Sequence, residues 1–225
     1  MWDLKDKTVV ITGATNGIGK AAALELAKQG PKLLLTFRNQ ELAHNLLAEI
    51  KTAAPDVSVE LIYCDFSMQS SIRECSKEIV ASQDKIDVLI NNAGVVNTSY
   101  HETSEGIENT FAVNHLGYFL FTNLLLNKMK GPEESRIINV SSAAHSFVKD
   151  MNWENINFKD DFGQGMQVYG QSKLANLLFT RHLAIKLSTD NISVNATGSV
   201  SLNGTMTAAG SMVRFDTTGT VTQTS

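Results

Sequence analysis

The stretch Thr12-Gly13-Ala14-Thr15-Asn16-Gly17-Ile18-Gly19 decides the fold. A short apolar run, Thr8 to Ile11, precedes it, and a helical pattern, Ile18 to Gln29, follows it. The order is therefore strand, glycine turn, helix. Gly13 can take backbone angles closed to other residues, while Gly17 and Gly19 lack the Cβ that would keep a diphosphate from the backbone or the helix from the strand. The N–H groups freed at the turn and the positive end of the helix dipole then face an anion.

Outward from this unit, apolar runs alternate with helical patterns along the chain. Leu33 to Phe37, Val57 to Tyr63, Ile86 to Ile90, Arg136 to Val140 and Ile192 to Ala196 read as further strands. Helices are predicted over 17–29, 40–53, 69–82, 104–130 and 168–187, the first stopped by Gly30-Pro31. Such alternation implies an α/β fold: a Rossmann-like, doubly wound parallel sheet covered by helices on both faces, three layers in a single domain. Ligands then bind beyond the carboxyl ends of the strands, where strand order reverses. We place the domain at residues 1–196. From Ala196 the chain turns rich in Thr, Ser and Gly, and Thr217 to Ser225 has no helical period and little to bury, which reads as a loosely ordered tail over 197–225.

With 225 residues and 43% hydrophobic content, the chain can bury a sizeable core. A formal charge of −4 without a long basic run argues against nucleic acid or an anionic membrane surface as partner. Lys5, Asp6 and Lys7 come before any apolar stretch, unlike a signal peptide. No segment approaches the roughly 20 apolar residues needed to cross a bilayer. A cytoplasmic protein is expected, with Cys64 and Cys75 as reduced, buried thiols.

Tyr169 and Lys173 lie four residues apart in a predicted helix and share one face. That helix follows the fifth strand, whose end carries Ser142 towards the same crevice. A phenol ordinarily gives up its proton near pH 10, so acid–base work at neutral pH calls for a neighbouring positive charge.

Together with Asp65, Asn91-Asn92-Ala93-Gly94, Asn114 in Val-Asn-His-Leu-Gly, Ser141-Ser142 and Tyr169-Gly-Gln-Ser-Lys173, the glycine loop makes the chain from about Lys5 to Ala196 resemble a short-chain dehydrogenase/reductase. It is most similar to the retinol dehydrogenase-like branch, including the long interval from Ser142 to Tyr169 with Trp153 and Phe158 inside it. The resemblance implies reversible hydride transfer between a nicotinamide cofactor and a small hydrophobic carbonyl or alcohol. Asn114, Ser142, Tyr169 and Lys173 are the catalytic residues it implies. Tyr169 is the acid or base; Ser142, matching the second serine of the pair, bonds the substrate oxygen; Lys173 acts on Tyr169 and holds the ribose; Asn114 interrupts its helix and positions a water. The cofactor-binding set it implies comprises Gly13, Thr15, Asn16, Gly17, Ile18 and Gly19 of the loop, Asp65 towards the adenine amino group with Phe66 beside it, Asn91, Ala93 and Gly94 along the floor, and Tyr169 and Lys173. Asn91 has an alternative reading, as a tie between neighbouring strands.

At the end of the second strand, Leu35-Thr36-Phe37-Arg38-Asn39 has no carboxylate for a ribose 2′-hydroxyl. Arg38 can take a 2′-phosphate in a bidentate manner, so NADP is expected over NAD. His115 and His145 lack a clustered carboxylate or cysteine partner, and no metal is expected. The family normally continues after the sixth strand with Pro-Gly, a threonine on the nicotinamide amide and a substrate-binding segment. Here Asn195-Ala196 runs into Thr197-Gly198-Ser199, with Thr205 the nearest candidate for that threonine. This departure supports an alternative reading, a catalytically weak or inert dinucleotide-binding protein acting through interactions. A homodimer through the 104 and 168 helices is expected by analogy.

Overall fold

A computed structural model describes residues 2–198 in full, and the backbone of three short strands at 206–208, 211–215 and 221–224. The chain alternates β1 (Thr8–Ile11), α1 (Gly17–Ala27), β2 (Lys32–Phe37), α2 (Gln40–Ala53), β3 (Val59–Tyr63), α3 (Gln69–Ser82) and β4 (Val88–Asn91). A broken helical segment then runs through α4 (Asn109–Phe111), a π turn (Ala112–Leu116), α5 (Gly117–Leu125) and a 3-10 turn (Leu126–Lys128). After it come β5 (Ser135–Val140), a 3-10 turn (Ala143–Phe147), α6 (Met166–Lys186) and β6 (Ile192–Thr197).

The six strands form one parallel sheet in the order β3-β2-β1-β4-β5-β6. Strand order reverses at β1, which pairs with β2 on one side and β4 on the other, and this opens the crevice. Both faces are covered. Val9, Ile11, Leu33 and Leu35 point to a core completed by Ala23 and Ala27 of α1 and Leu46 and Ile50 of α2. Val10, Leu34, Leu89, Ile137 and Val194 point the other way, against Ile72 and Ile79 of α3, Phe121 and Leu125 of α5, and Phe179 and Leu183 of α6. Neighbours in sequence thus bury opposite faces, which is why these strands read as continuous apolar runs.

Three expectations need correction. The helix predicted over 104–130 begins at Asn109, because both carboxylate oxygens of the buried Glu108 accept from Thr110 N (2.8 Å) and Phe111 N (2.7 Å) and close the N-terminus there. It then widens into a π turn, where the Asn114 carbonyl accepts from Asn176 Nδ2 at 2.9 Å. β3 begins two residues later than expected, since Val57 N closes a turn onto Ala54 O. β4 likewise starts at Val88. The strands Met206–Ala208, Ser211–Phe215 and Val221–Thr224 pair antiparallel in a separate sheet. These strands fall within 197–225, where a loosely ordered tail is expected from the sequence, and β6 itself runs one residue past 196; Thr205 lies outside the described residues.

Candidate active site

A cleft of about 840 Å³ opens at the carboxyl ends of β1, β2, β4 and β5. The glycine loop is one wall. Gly13 has φ +62, and a Cβ there would come within 2.7 Å of Ala93 Cα. Gly17 has φ +53 with open space beyond it, so backbone is presented to the cleft with nothing in front. At Gly19 a Cβ would strike Asn92 Nδ2 and the Gly13 carbonyl, so this glycine seats the helix against the loop. This cradle suits a diphosphate: open backbone and a helix N-terminus.

Two residues to which the sequence reading gave no role hold the cradle in place. Thr12 Oγ1 accepts from Asn92 N (2.8 Å) and Ala93 N (2.9 Å), and Asn92 Nδ2 donates to the carbonyls of Thr12 (3.0 Å) and Gly13 (3.1 Å). The loops after β1 and β4 are therefore pinned to each other. Thr12 was visible as the first residue of the loop, but its partner lies 80 positions away.

Along the adenosine side lie Arg38, Asn39, Asp65 and Phe66. Arg38 is exposed and makes no ion pair among the described residues. Asp65 Oδ1 accepts from Ser67 N (2.9 Å) and Oγ (2.7 Å). The carboxylate is thereby held at the rim of the cleft.

At the other end Ser141, Ser142, Tyr169 and Lys173 line the same cavity. The two serines differ in what they do. Ser141 is buried and its hydroxyl donates to the Lys173 carbonyl at 2.9 Å, joining β5 to α6. Ser142 is half-buried, and its oxygen accepts from Ala144 N at 3.2 Å, leaving its O–H proton available to the cleft. The Lys173 ammonium donates to the Val140 carbonyl at 3.0 Å and sits 5.5 Å from the Tyr169 ring centroid. Burial pushes its pKa down to about 8.

Three residues named from sequence do not line the cleft. Gly19 packs behind the loop. Asn114 is fully buried: its amide donates to Val95 O (2.9 Å) and Ser172 Oγ (3.2 Å), and its oxygen accepts from Val95 N (2.8 Å). Asn91 requires a correction as a cofactor contact, since its amide donates to Thr122 Oγ1 (2.9 Å) and Asn139 Oδ1 (2.8 Å) and none of it reaches the cavity. Its interstrand reading is the one that fits.

The histidines are engaged in packing and helix contacts. His115 Nδ1 pairs with Asn176 Oδ1 at 3.0 Å among Phe111 and Phe179, and burial lowers its pKa. His145 Nδ1 pairs with the Ser142 carbonyl at 2.8 Å. Cys64 and Cys75 are both free and buried. In the long interval before Tyr169, Phe158 is buried with Phe162 and Val168, while Trp153 is exposed.

A doubly wound sheet with a glycine cradle at its switch point defines a dinucleotide-binding α/β protein. Comparison with known proteins makes this specific. A family model described as short chain dehydrogenase matches residues 7–154. The chain belongs to the short-chain dehydrogenase family. It is 41% identical over 194 residues to human retinol dehydrogenase 13, an alignment covering 84% of this chain and 57% of that protein. It is 37% identical over 203 residues to the chloroplastic short-chain dehydrogenase TIC 32 A of Brassica napus, covering 86% and 63%. Among solved structures, a metagenomic short-chain oxidoreductase in complex with NADP aligns with a TM-score of 0.73 at 26% identity, over 89% of this chain and 85% of that one. The chain thus spans about three-fifths of the length of these two curated relatives.

Proposed function

We propose that the chain is an oxidoreductase that moves a hydride between NADP(H) and the carbonyl or alcohol group of a small hydrophobic substrate. One observation carries the reading: Ser142, Tyr169 and Lys173 open into the same cleft as the glycine cradle. The nicotinamide cofactor supplies or accepts the hydride. In the reducing direction the Tyr169 hydroxyl gives its proton to the carbonyl oxygen, and in the oxidising direction it takes that proton back. Ser142 donates a hydrogen bond to the same oxygen. Lys173 places a positive charge beside Tyr169, which favours the phenolate left after proton transfer. Asn114 interrupts its helix at the π turn and positions a water for proton relay.

Gly13, Thr15, Asn16, Gly17 and Ile18 take the diphosphate, with Gly19 seating the helix behind them. Arg38 takes a 2′-phosphate, Asp65 the adenine amino group, and Phe66, Ala93 and Gly94 line the remaining floor. NADP is preferred over NAD because an exposed arginine, without an ion pair among the described residues, stands where an acidic group would otherwise select the 2′-hydroxyl. The relative solved with NADP supports the same choice. No helix among the described residues is long and apolar enough to cross a membrane. Phe119 of α5 and Leu178 and Ile185 of α6 are exposed and suit a second copy of the chain.

Turnover of a broad panel of aldehydes, ketones and alcohols with NADPH/NADP and NADH/NAD tests the reading. It predicts activity that is higher with the phosphorylated cofactor. Cofactor binding with no turnover across the panel would leave a dinucleotide-binding protein acting through interactions.

A further inference from the structure

Behind the Tyr169–Lys173 pair stands a second tyrosine to which the reaction above gives no part. Tyr118, in the first turn of α5, is fully buried, and its hydroxyl has no hydrogen-bond partner among the described residues. Lys173 Nζ lies over the Tyr118 ring at 6.0 Å from its centroid, and over the Tyr169 ring at 5.5 Å from its centroid. Tyr118 does not line the cleft, whereas Tyr169 does. The ammonium therefore has one phenol on the cleft side and another on the interior side.

Lys173 has three N–H donors, and the described residues give it one acceptor, the Val140 carbonyl at 3.0 Å. The titratable side chains set against it are Tyr118 from α5 and Tyr169 from α6; β5 contributes Asn139, Val140 and Ser141, none of them charged. The unpaired phenol and the buried ammonium with donors to spare are two polar groups left incompletely satisfied in the interior. A water between them satisfies both.

We propose that Tyr118 is a positioning residue for Lys173, its hydroxyl binding a water that accepts a hydrogen bond from the Lys173 ammonium on the side away from the cleft. The ammonium is then fixed from behind while its remaining donor faces Tyr169 and the cleft. The link also offsets part of the desolvation that pushes Lys173 down to about 8, because a hydrogen bond to the charged form favours that form. This inference rests on the part given to Lys173 in the proposed function, but its test does not need turnover.

Tyr118→Phe keeps the ring and removes only the oxygen. The titration of Lys173 is followed in the chain without cofactor by lysine-selective nitrogen NMR, the signal assigned by its loss in Lys173→Met, and the Tm of each protein is measured alongside. The expected result is a Lys173 midpoint lower by about half a pH unit or more in Tyr118→Phe, with no gain in Tm. An unmoved midpoint, or a Tm higher by about 2–6 °C as removal of a partnerless buried hydroxyl gives, overturns the proposal. Absence of turnover would instead count against the oxidoreductase reading and leave the shifted midpoint standing.

Discussion

The two ends of the cleft are built on opposite principles. At the glycine end the chain works by atoms it lacks: Gly13 and Gly17 present bare backbone at positive φ. At the tyrosine end it works by atoms it has, with Ser142, Tyr169 and Lys173 each supplying a polar group. Adding atoms should break the first end and removing them should break the second. Binding and turnover should therefore separate cleanly by mutation.

The largest separation is expected from Tyr169→Phe, which removes the hydroxyl proposed as the proton donor and leaves the cradle intact. Turnover should fall by about 10²–10⁴-fold or more while the cofactor affinity stays within a few-fold of wild type; a variant retaining most of its kcat would remove Tyr169 from its part. Gly13→Val should do the reverse of a catalytic lesion. Its side chain meets Ala93 and opposes the φ of +62, so the roughly 2.7 kcal/mol that a ligand at 100 times its Kd contributes to stability should vanish.

Lys173 sharpens the contrast through pH. Its folded pKa, about 8, lies below the ordinary value of 10.5, so the unfolded chain binds the proton more tightly. The penalty for burying the charge is present in full below pH 8. It is relieved as pH rises from 8 to 10.5. Lys173→Met should gain up to about 3 kcal/mol at pH 7, with the gain disappearing by about pH 10.5 in denaturant titrations. Equal stability of the two proteins at pH 7 would mean that burial does not disfavour this ammonium.

Smaller effects are expected further out. Asn176→Leu removes the bonds to the Asn114 carbonyl and to His115, and should cost about 1–3 kcal/mol in stability. Arg38→Ala should leave NADH binding unchanged and weaken NADPH by about 1.5–3 kcal/mol, the range for hydrogen bonds to charged groups. Equal losses for both cofactors would dismiss Arg38 as the phosphate contact.

The sheet was legible because each core strand buries both faces and so writes itself as an apolar run, and α2 and α3 were legible from their helical period. The Tyr169–Lys173 pair was readable for the same reason: α6 is regular, and residues four apart on it share a face. The broken segment from Asn109 to Lys128 was not, because its breaks are set by partners distant in sequence. Asn176 takes the Asn114 carbonyl from 62 positions away, and Val95 holds the Asn114 side chain from 19. Asn91 was misleading for a related reason. It sits beside cleft residues in sequence, but alternation along β4 turns it inward to Thr122 and Asn139.

The central claim, that one cleft joins a backbone cradle for the cofactor to a side-chain end for the reaction, is tested most directly by thermal unfolding with saturating NADPH and, separately, NADH. The wild type and Tyr169→Phe should shift upwards alike, more with NADPH, while Gly13→Val should not shift. Absence of a shift in the wild type, or an equal shift in Gly13→Val, would contradict the account.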